Sequence, residues 1–209
     1  MDSHRHSRLT RPPARTKINL DALFADLTSG DDLLAEPAMH QLVALGSVAI
    51  PALCDLATSP NPDNRWWAVS TLAQMDDMDA DILLVALEDD SVEVQQAAAL
   101  GLTKHPHPKT ASALLNLLPS PNSILRNLAM NALIALGKDA TPTLIEFLET
   151  HQAPDAAQLS AVRALASIGD YAAIPTLMQA LEAESALIQH WAEEGLQKLG
   201  LDMVYMKLS

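Results

Sequence analysis

Cysteine is all but missing. Cys54 stands alone, so no intramolecular disulfide can form, and a reducing compartment is the expected setting. Aromatic residues are 3% of a chain that is 49% hydrophobic, which leaves Leu, Ala, Ile and Val to build the interior. Such side chains suit closely packed helices rather than an aromatic-rich β-sandwich. Glycine is scarce, with seven residues against thirteen prolines. The prolines fall mostly between apolar blocks or at their starts, where a helix tolerates them. Long hydrophobic runs are lacking too. The longest uncharged stretch, 37–54, contains His40, Gln41, Gly46 and Pro51 and reads as two helices meeting, so no membrane span is expected. The first residues lack the apolar segment of a signal peptide. A soluble, cytoplasmic protein is the expectation.

Positive charge is the next shortage, with 13 basic against 26 acidic residues and a net charge of −13. Five of the bases (Arg5, Arg8, Arg11, Arg15, Lys17) precede residue 19. The rest of the chain holds eight basic and twenty-five acidic residues, a balance of −17. A body so charged repels phosphate backbones, and no nucleic-acid partner is expected. Residues 1–17 read as a basic, disordered tail, and 18–209 as a single folded domain.

What the chain does have is a repeat. Six segments align: AMHQLVALG (38–46), AVSTLAQMD (68–76), AALGLTKHP (98–106), AMNALIALG (129–137), AVRALASIG (161–169) and AEEGLQKLG (192–200). Their first alanines, Ala38, Ala68, Ala98, Ala129, Ala161 and Ala192, recur every 30–32 residues. Leucine follows each at the fourth position: Leu42, Leu72, Leu102, Leu133, Leu165 and Leu196. A third position, three further on, is mostly apolar. Steps of four and three keep these side chains on one helical face.

A second apolar block follows each first one, led by Leu23, Leu53, Leu83, Leu114, Leu144 and Leu177. Pro51, Pro142 and Pro175 stand two residues ahead of such leucines, as first-turn prolines do. Gly46, Gly137, Gly169 and Gly200 close the first helices, where a left-handed cap is easiest for glycine. Each unit is thus helix A, tight turn, helix B and a polar link such as SPNPDN (59–64) or EDDS (88–91). One such pair cannot bury its own apolar face, but stacked pairs can. The fold expected is an all-α solenoid of about six two-helix repeats, twelve helices in all. Its first helix lies over 18–28, its final A helix over 185–199, and a short irregular cap follows.

The pattern x-Arg-x-x-Ala-x-x-x-Leu-x-x-Leu-Gly, then Pro-x-Leu on the partner helix, resembles the HEAT-like repeats of phycobilisome (phycobilin) lyase subunits. The resemblance covers roughly 20–200, and a period near 31 fits this subtype better than longer HEAT units. The family arginine, three before the alanine, is matched by Arg65 and Arg126. Gln95, Gln158 and Gln189 replace it in three units and Ala35 in the first. The resemblance implies that this position ties one unit's helix to the next loop. Repeat three departs furthest, with His105-Pro106-His107-Pro108 where Leu-Gly would stand, so its turn should be distorted. HEAT-like deoxyhypusine hydroxylases carry His-Glu pairs as iron ligands, and this chain has no His-Glu dipeptide.

Candidate sites are few. Trp66 and Trp67 follow Arg65; Trp67 shares its repeat position with Trp191 and Trp66 with His190. Ser70 and Glu194, four residues on from Trp66 and His190, suggest that Trp66 faces outward, where tryptophan anchors a partner or stacks on a planar ligand. The stretch 76–93 carries Asp76, Asp77, Asp79, Asp81, Glu88, Asp89, Asp90 and Glu93 with no base. A basic partner, or the chain's own tail, is the ligand such a surface would take. No EF-hand spacing is present. His105, His107 and His151 lack the Cys or carboxylate companions of a zinc site. No nucleophile elbow, phosphate loop or CxxC appears, so no catalytic residue and no cofactor is assigned.

The expected function is that of a non-catalytic scaffold for protein partners, with B helices offering Asp55, Asn116, Glu146 and Gln179. The alternatives are a chromophore-handling subunit like the phycobilin lyases, or an assembly chaperone. Val204, Tyr205, Met206 and Leu208 are apolar at the very end and leave homodimerisation through the solenoid ends open.

Overall fold

The computed structural model describes residues 19–76, 78–150 and 153–201. Among them run twelve α-helices and no strand. In chain order these are α1 (Leu20–Leu27), α2 (Asp32–Leu45), α3 (Ile50–Leu56), α4 (Pro62–Leu72), α5 (Ala80–Ala86), α6 (Val92–Lys104), α7 (Ala111–Asn116), α8 (Ser123–Leu136), α9 (Thr141–Glu149), α10 (Asp155–Ile168), α11 (Ile174–Ala180) and α12 (Ala186–Lys198). Even-numbered helices are the A helices of the repeat and odd-numbered ones the shorter B helices. Each A helix packs on the next A helix, and each B helix on the A helix that follows it. The all-α solenoid expected from the repeat is the fold. Ile18, the tail, Asp77, His151 and the apolar C-terminal residues lie outside the described residues.

The repeat residues make the core. All six repeat alanines and all six leucines four residues on are completely buried, as are five of the six leading B-helix leucines; Leu23, in α1, keeps a 7% exposure. Burying each leucine contributes about 2 kcal/mol, while alanine at the crossing point lets neighbouring A helices close up. The links supply the N-caps. Asp31, Asn61, Ser91 and Asn122 accept backbone N–H groups at the starts of α2, α4, α6 and α8.

Pro51, Pro142 and Pro175 fall in the first turns of α3, α9 and α11. Pro37 differs: it lies inside α2, because the cap at Asp31 starts that helix six residues upstream. The glycine caps also need one correction. All four glycines have positive φ; Gly169 is left-handed α, at φ 69° and ψ 42°, and Gly200, at φ 84°, follows α12, where the Leu201 N–H donates to the Leu196 carbonyl at 3.0 Å. Gly46 and Gly137 hold ψ at −135°, and each leads straight into a 3-10 turn that delivers the chain to its B helix. In repeat three α6 ends at Lys104, its C-cap His105 has φ −119°, and a 3-10 turn over Pro108–Thr110 follows. The glycine cap is absent from that turn, as its sequence foretold.

Candidate binding site

Arg65 projects from α4 into the links on either side. Its Nε and Nη2 donate to the two carboxylate oxygens of Asp89 at 2.8 Å each, Nη2 also reaches Asp90, and Nη1 donates to the Ser59 carbonyl at 3.0 Å. Arg126 donates to the Ser120 carbonyl at 2.8 Å. The glutamines at the same position do likewise: Gln95 to Asp89 at 2.9 Å, Gln158 to Ala153 at 2.7 Å and Gln189 to Ala183 at 2.8 Å. A planar side-chain N–H bonding a carbonyl of the link before its own helix is therefore what this position supplies, whether the residue is Arg or Gln; the next link, the expected partner, is reached only by Arg65, through Asp89 and Asp90.

Only Arg65 adds a carboxylate. Asp89, whose side chain is 12% exposed, has its carboxyl held below the usual range, first by the Arg65 hydrogen bonds and then by the Ser91 backbone N–H. Asp89 is thus engaged inside the chain, while the side chain of Asp90 remains 90% exposed. Bases from the next repeat reach back to the other acids. Lys104 pairs with Asp76 at 3.1 Å and Lys109 with Asp81 at 3.3 Å. Asp79 caps α5, accepting from the Asp81 N–H at 3.0 Å. The acidic stretch 76–93, expected to offer a negative surface to a basic partner, is in the structure partly engaged in ties within and between repeats.

Trp66 and Trp67 follow Arg65 directly on α4. Both are half-buried and pack against the core, with ring centroids 4.7 Å apart and planes at 78°. They line a groove of about 580 Å³ that crosses three A helices. On the α2 side stand Asp32, Glu36 and Met39. The floor is made by small residues, Ser70 of α4 and Ala73 at its C-cap with Ala97 and Gly101 of α6, and Leu100 and Lys104 close the far side. Two large rings beside four small side chains are what open the space. Gly101 permits the close approach of α4 and α6, because a Cβ there would lie 2.7 Å from the Ala73 Cβ. A second cavity, of about 440 Å³, shares Asp32 and both tryptophans and adds Asp63 and Glu93.

The remaining candidates have structural partners. His105 Nε2 lies 3.0 Å from the Ala73 carbonyl, and His107 Nδ1 accepts from the Lys109 N–H at 3.3 Å. Among the described residues no cluster of three or more His, Cys, Asp or Glu side chains has metal-binding geometry. The Cys54 thiol is pushed up by burial and by the charge of Asp55, which leaves it protonated and weakly nucleophilic at neutral pH. No helix among the described residues is long and apolar enough to cross a membrane.

The HEAT repeats profile matches residues 80–158 and 141–207, together more than half of the chain. The chain belongs to the HEAT repeat family. Solved HEAT and armadillo structures share its fold at low identity. The CpcE–CpcF complex of phycocyanin lyase from Nostoc sp. PCC7120 aligns with a TM-score of 0.54 and 19% identity, covering 95% of this chain and 82% of that one. An engineered protein aligns at 0.52 and 22%, covering 87% and 98%. A designed armadillo repeat protein aligns at 0.50 and 17%, covering 87% and 100%. These likenesses concern the fold. Among curated proteins none matches the chain in sequence.

Neither the groove nor its floor was legible from the repeat pattern. Trp66 was expected to face outward. It is half-buried against Trp67, and its neighbours in the groove come from units about thirty residues apart in sequence. A signal did exist: small residues at Ala73, Ala97 and Gly101, within two repeats of which one carries the only adjacent tryptophans of the chain.

Proposed function

We propose that this HEAT repeat protein is a non-catalytic scaffold that holds a protein partner in the groove of α2, α4 and α6. The observation that carries the reading is the groove itself: a floor of small residues beside two half-buried tryptophans, on the face of a regular array. Tryptophan in such a setting is the residue type that dominates interface energetics, and solenoids present extended surfaces suited to subunit or peptide docking. The phycocyanin lyase subunits CpcE and CpcF, of like fold, form a complex with each other. Affinity capture of the tagged protein from its host, with crosslinking, tests the reading. A single stoichiometric partner crosslinked to α2, α4 or α6, and bound about thirtyfold more weakly by the Trp66→Ala protein, is the expected result. Equal affinity of that variant for the captured partner sinks it.

A chromophore-handling subunit is the second reading, favoured by the size of the cavity. About 580 Å³ lies within the range of small-molecule sites, about 300–1,000 Å³, and indole faces stack on planar ligands. Titration with a bilin decides it. A shifted absorbance band that disappears in Trp66→Ala supports chromophore binding, and an unchanged spectrum at tens of micromolar removes it.

A further inference from the structure

We infer that the groove receives an arginine side chain of the partner, whose guanidinium stacks on Trp67 as Arg163 stacks on Trp191 within the chain. The inference rests on the scaffold reading and adds the chemistry of what is bound.

The chain's own repeat symmetry carries it. Trp67 and Trp191 each precede a repeat alanine, Ala68 and Ala192. Each also stands edge-on to the residue before it: Trp66 at 4.7 Å and 78°, His190 at 5.7 Å and 63°. At Trp191 the preceding A helix completes the arrangement. Arg163 of α10, two residues after Ala161, holds its guanidinium carbon 4.8 Å from the ring centroid. The residue in the matching place on α2 is His40, two after Ala38, and its side chain is exposed. Among the described residues Arg163 over Trp191 is the one cation–π contact. On the α2 side of Trp67 the groove opens instead, with Asp32 and Glu36 on that wall.

Charge then selects the occupant. The two cavities around the tryptophans are edged by Asp32, Glu36, Asp63 and Glu93. The single cation of their lining, Lys104, already donates to the Gln74 carbonyl at 2.9 Å and pairs with Asp76 at 3.1 Å. A cation entering here meets an aromatic face and carboxylates together. Arginine suits both better than lysine. Its planar guanidinium lies flat on indole while the N–H groups at its edge remain in plane for carboxylates, whereas an ammonium is compact and more strongly hydrated. The apolar floor beneath takes an aliphatic neighbour of that arginine.

The test uses the full chain, immobilised, and nine-residue peptide pools with randomised flanks and one fixed central residue. That residue is arginine, lysine, glutamate or citrulline, the last matching arginine in shape without its charge. Arginine peptides should be retained about two- to thirtyfold over citrulline peptides. The advantage should vanish in Trp67→Leu and in Asp32→Asn/Asp63→Asn. The second variant leaves the core untouched and so keeps the test valid if the first fails to fold. An Asp21→Asn/Asp26→Asn protein, with the same charge change on the B helix α1, should keep the advantage. Lysine peptides retained above arginine peptides, or an arginine advantage that survives both groove variants, overturn the inference. Citrulline peptides retained equally, yet lost in Trp66→Ala, overturn the arginine assignment and leave the scaffold reading intact. No retention of any pool also overturns it, while the scaffold reading then stands or falls on its captured partner.

Discussion

Gly101 is buried inside α6, and replacing it with alanine sets two effects of known sign against each other. Alanine is the better helix former by about 1 kcal/mol. Its Cβ, however, would stand 2.7 Å from the Cβ of Ala73 and 2.9 Å from a methyl of Leu83. Ordinary carbon contacts lie near about 3.5–4.0 Å, so both neighbours must yield by roughly 1 Å. Leu83 is completely buried and can only rotate within a filled core. The Ala73 Cβ is fixed to the backbone at the end of α4, so α4 and α6 must part. Two such contacts place the overpacking cost at about 2–3 kcal/mol. The net loss is then about 1–2 kcal/mol, or about 2–8 °C in Tm for a chain of this size. Calorimetry of the Gly101→Ala protein reads the total. Because repeat arrays can open unit by unit, hydrogen exchange in α4 and α6 must localise it. A variant melting at or above the wild-type temperature would refute the close crossing on which the groove floor depends.

Two further outcomes follow from named groups. The Asp89 carboxyl has a folded pKa depressed by Arg65, so its stabilisation is fully present above the unfolded value of about 3.9 and is lost as pH falls through the lower folded value. Asp89→Asn should therefore flatten the acid limb of a Tm–pH series below about pH 4, and an unchanged limb would deny the tie any energetic role. Thr141 Oγ1 is buried with no hydrogen-bond partner among the described residues. Thr141→Val removes that group at nearly constant volume and should raise stability by up to about 1 kcal/mol in urea unfolding; a loss of more than that would reveal a partner for the hydroxyl.

The fold was legible because each of its levels left its own mark in the sequence. Alanine and leucine at fixed spacing named the A-helix seam, first-turn prolines named the starts of α3, α9 and α11, and Asp, Asn and Ser in the links named the caps. The sequence was silent where geometry arises between units. Gly46 and Gly137 were readable as positive-φ positions, but their extended ψ comes from the 3-10 turns they enter. Pro37 departs from the general placement of the prolines between or at the starts of apolar blocks and is interior, because the Asp31 cap fixes the helix start upstream of it. The acidic stretch read as open surface, yet Arg65, from the A helix of the same unit, and Lys104 and Lys109, from the next unit, engage four of its carboxylates. The groove escaped notice for the same reason. Met39, Trp67 and Gly101 meet only when three helices are stacked, and nothing in a single repeat announces their meeting.

The most direct test of the scaffold reading is hydrogen exchange of the full chain, free and bound to its captured partner. Slowed exchange confined to residues 32–45, 62–72 and 92–104, the A helices that form the groove, is the predicted result. Protection on the B helices instead, with α4 exchanging at its free rate, would contradict the account and move the binding surface to the opposite side of the array.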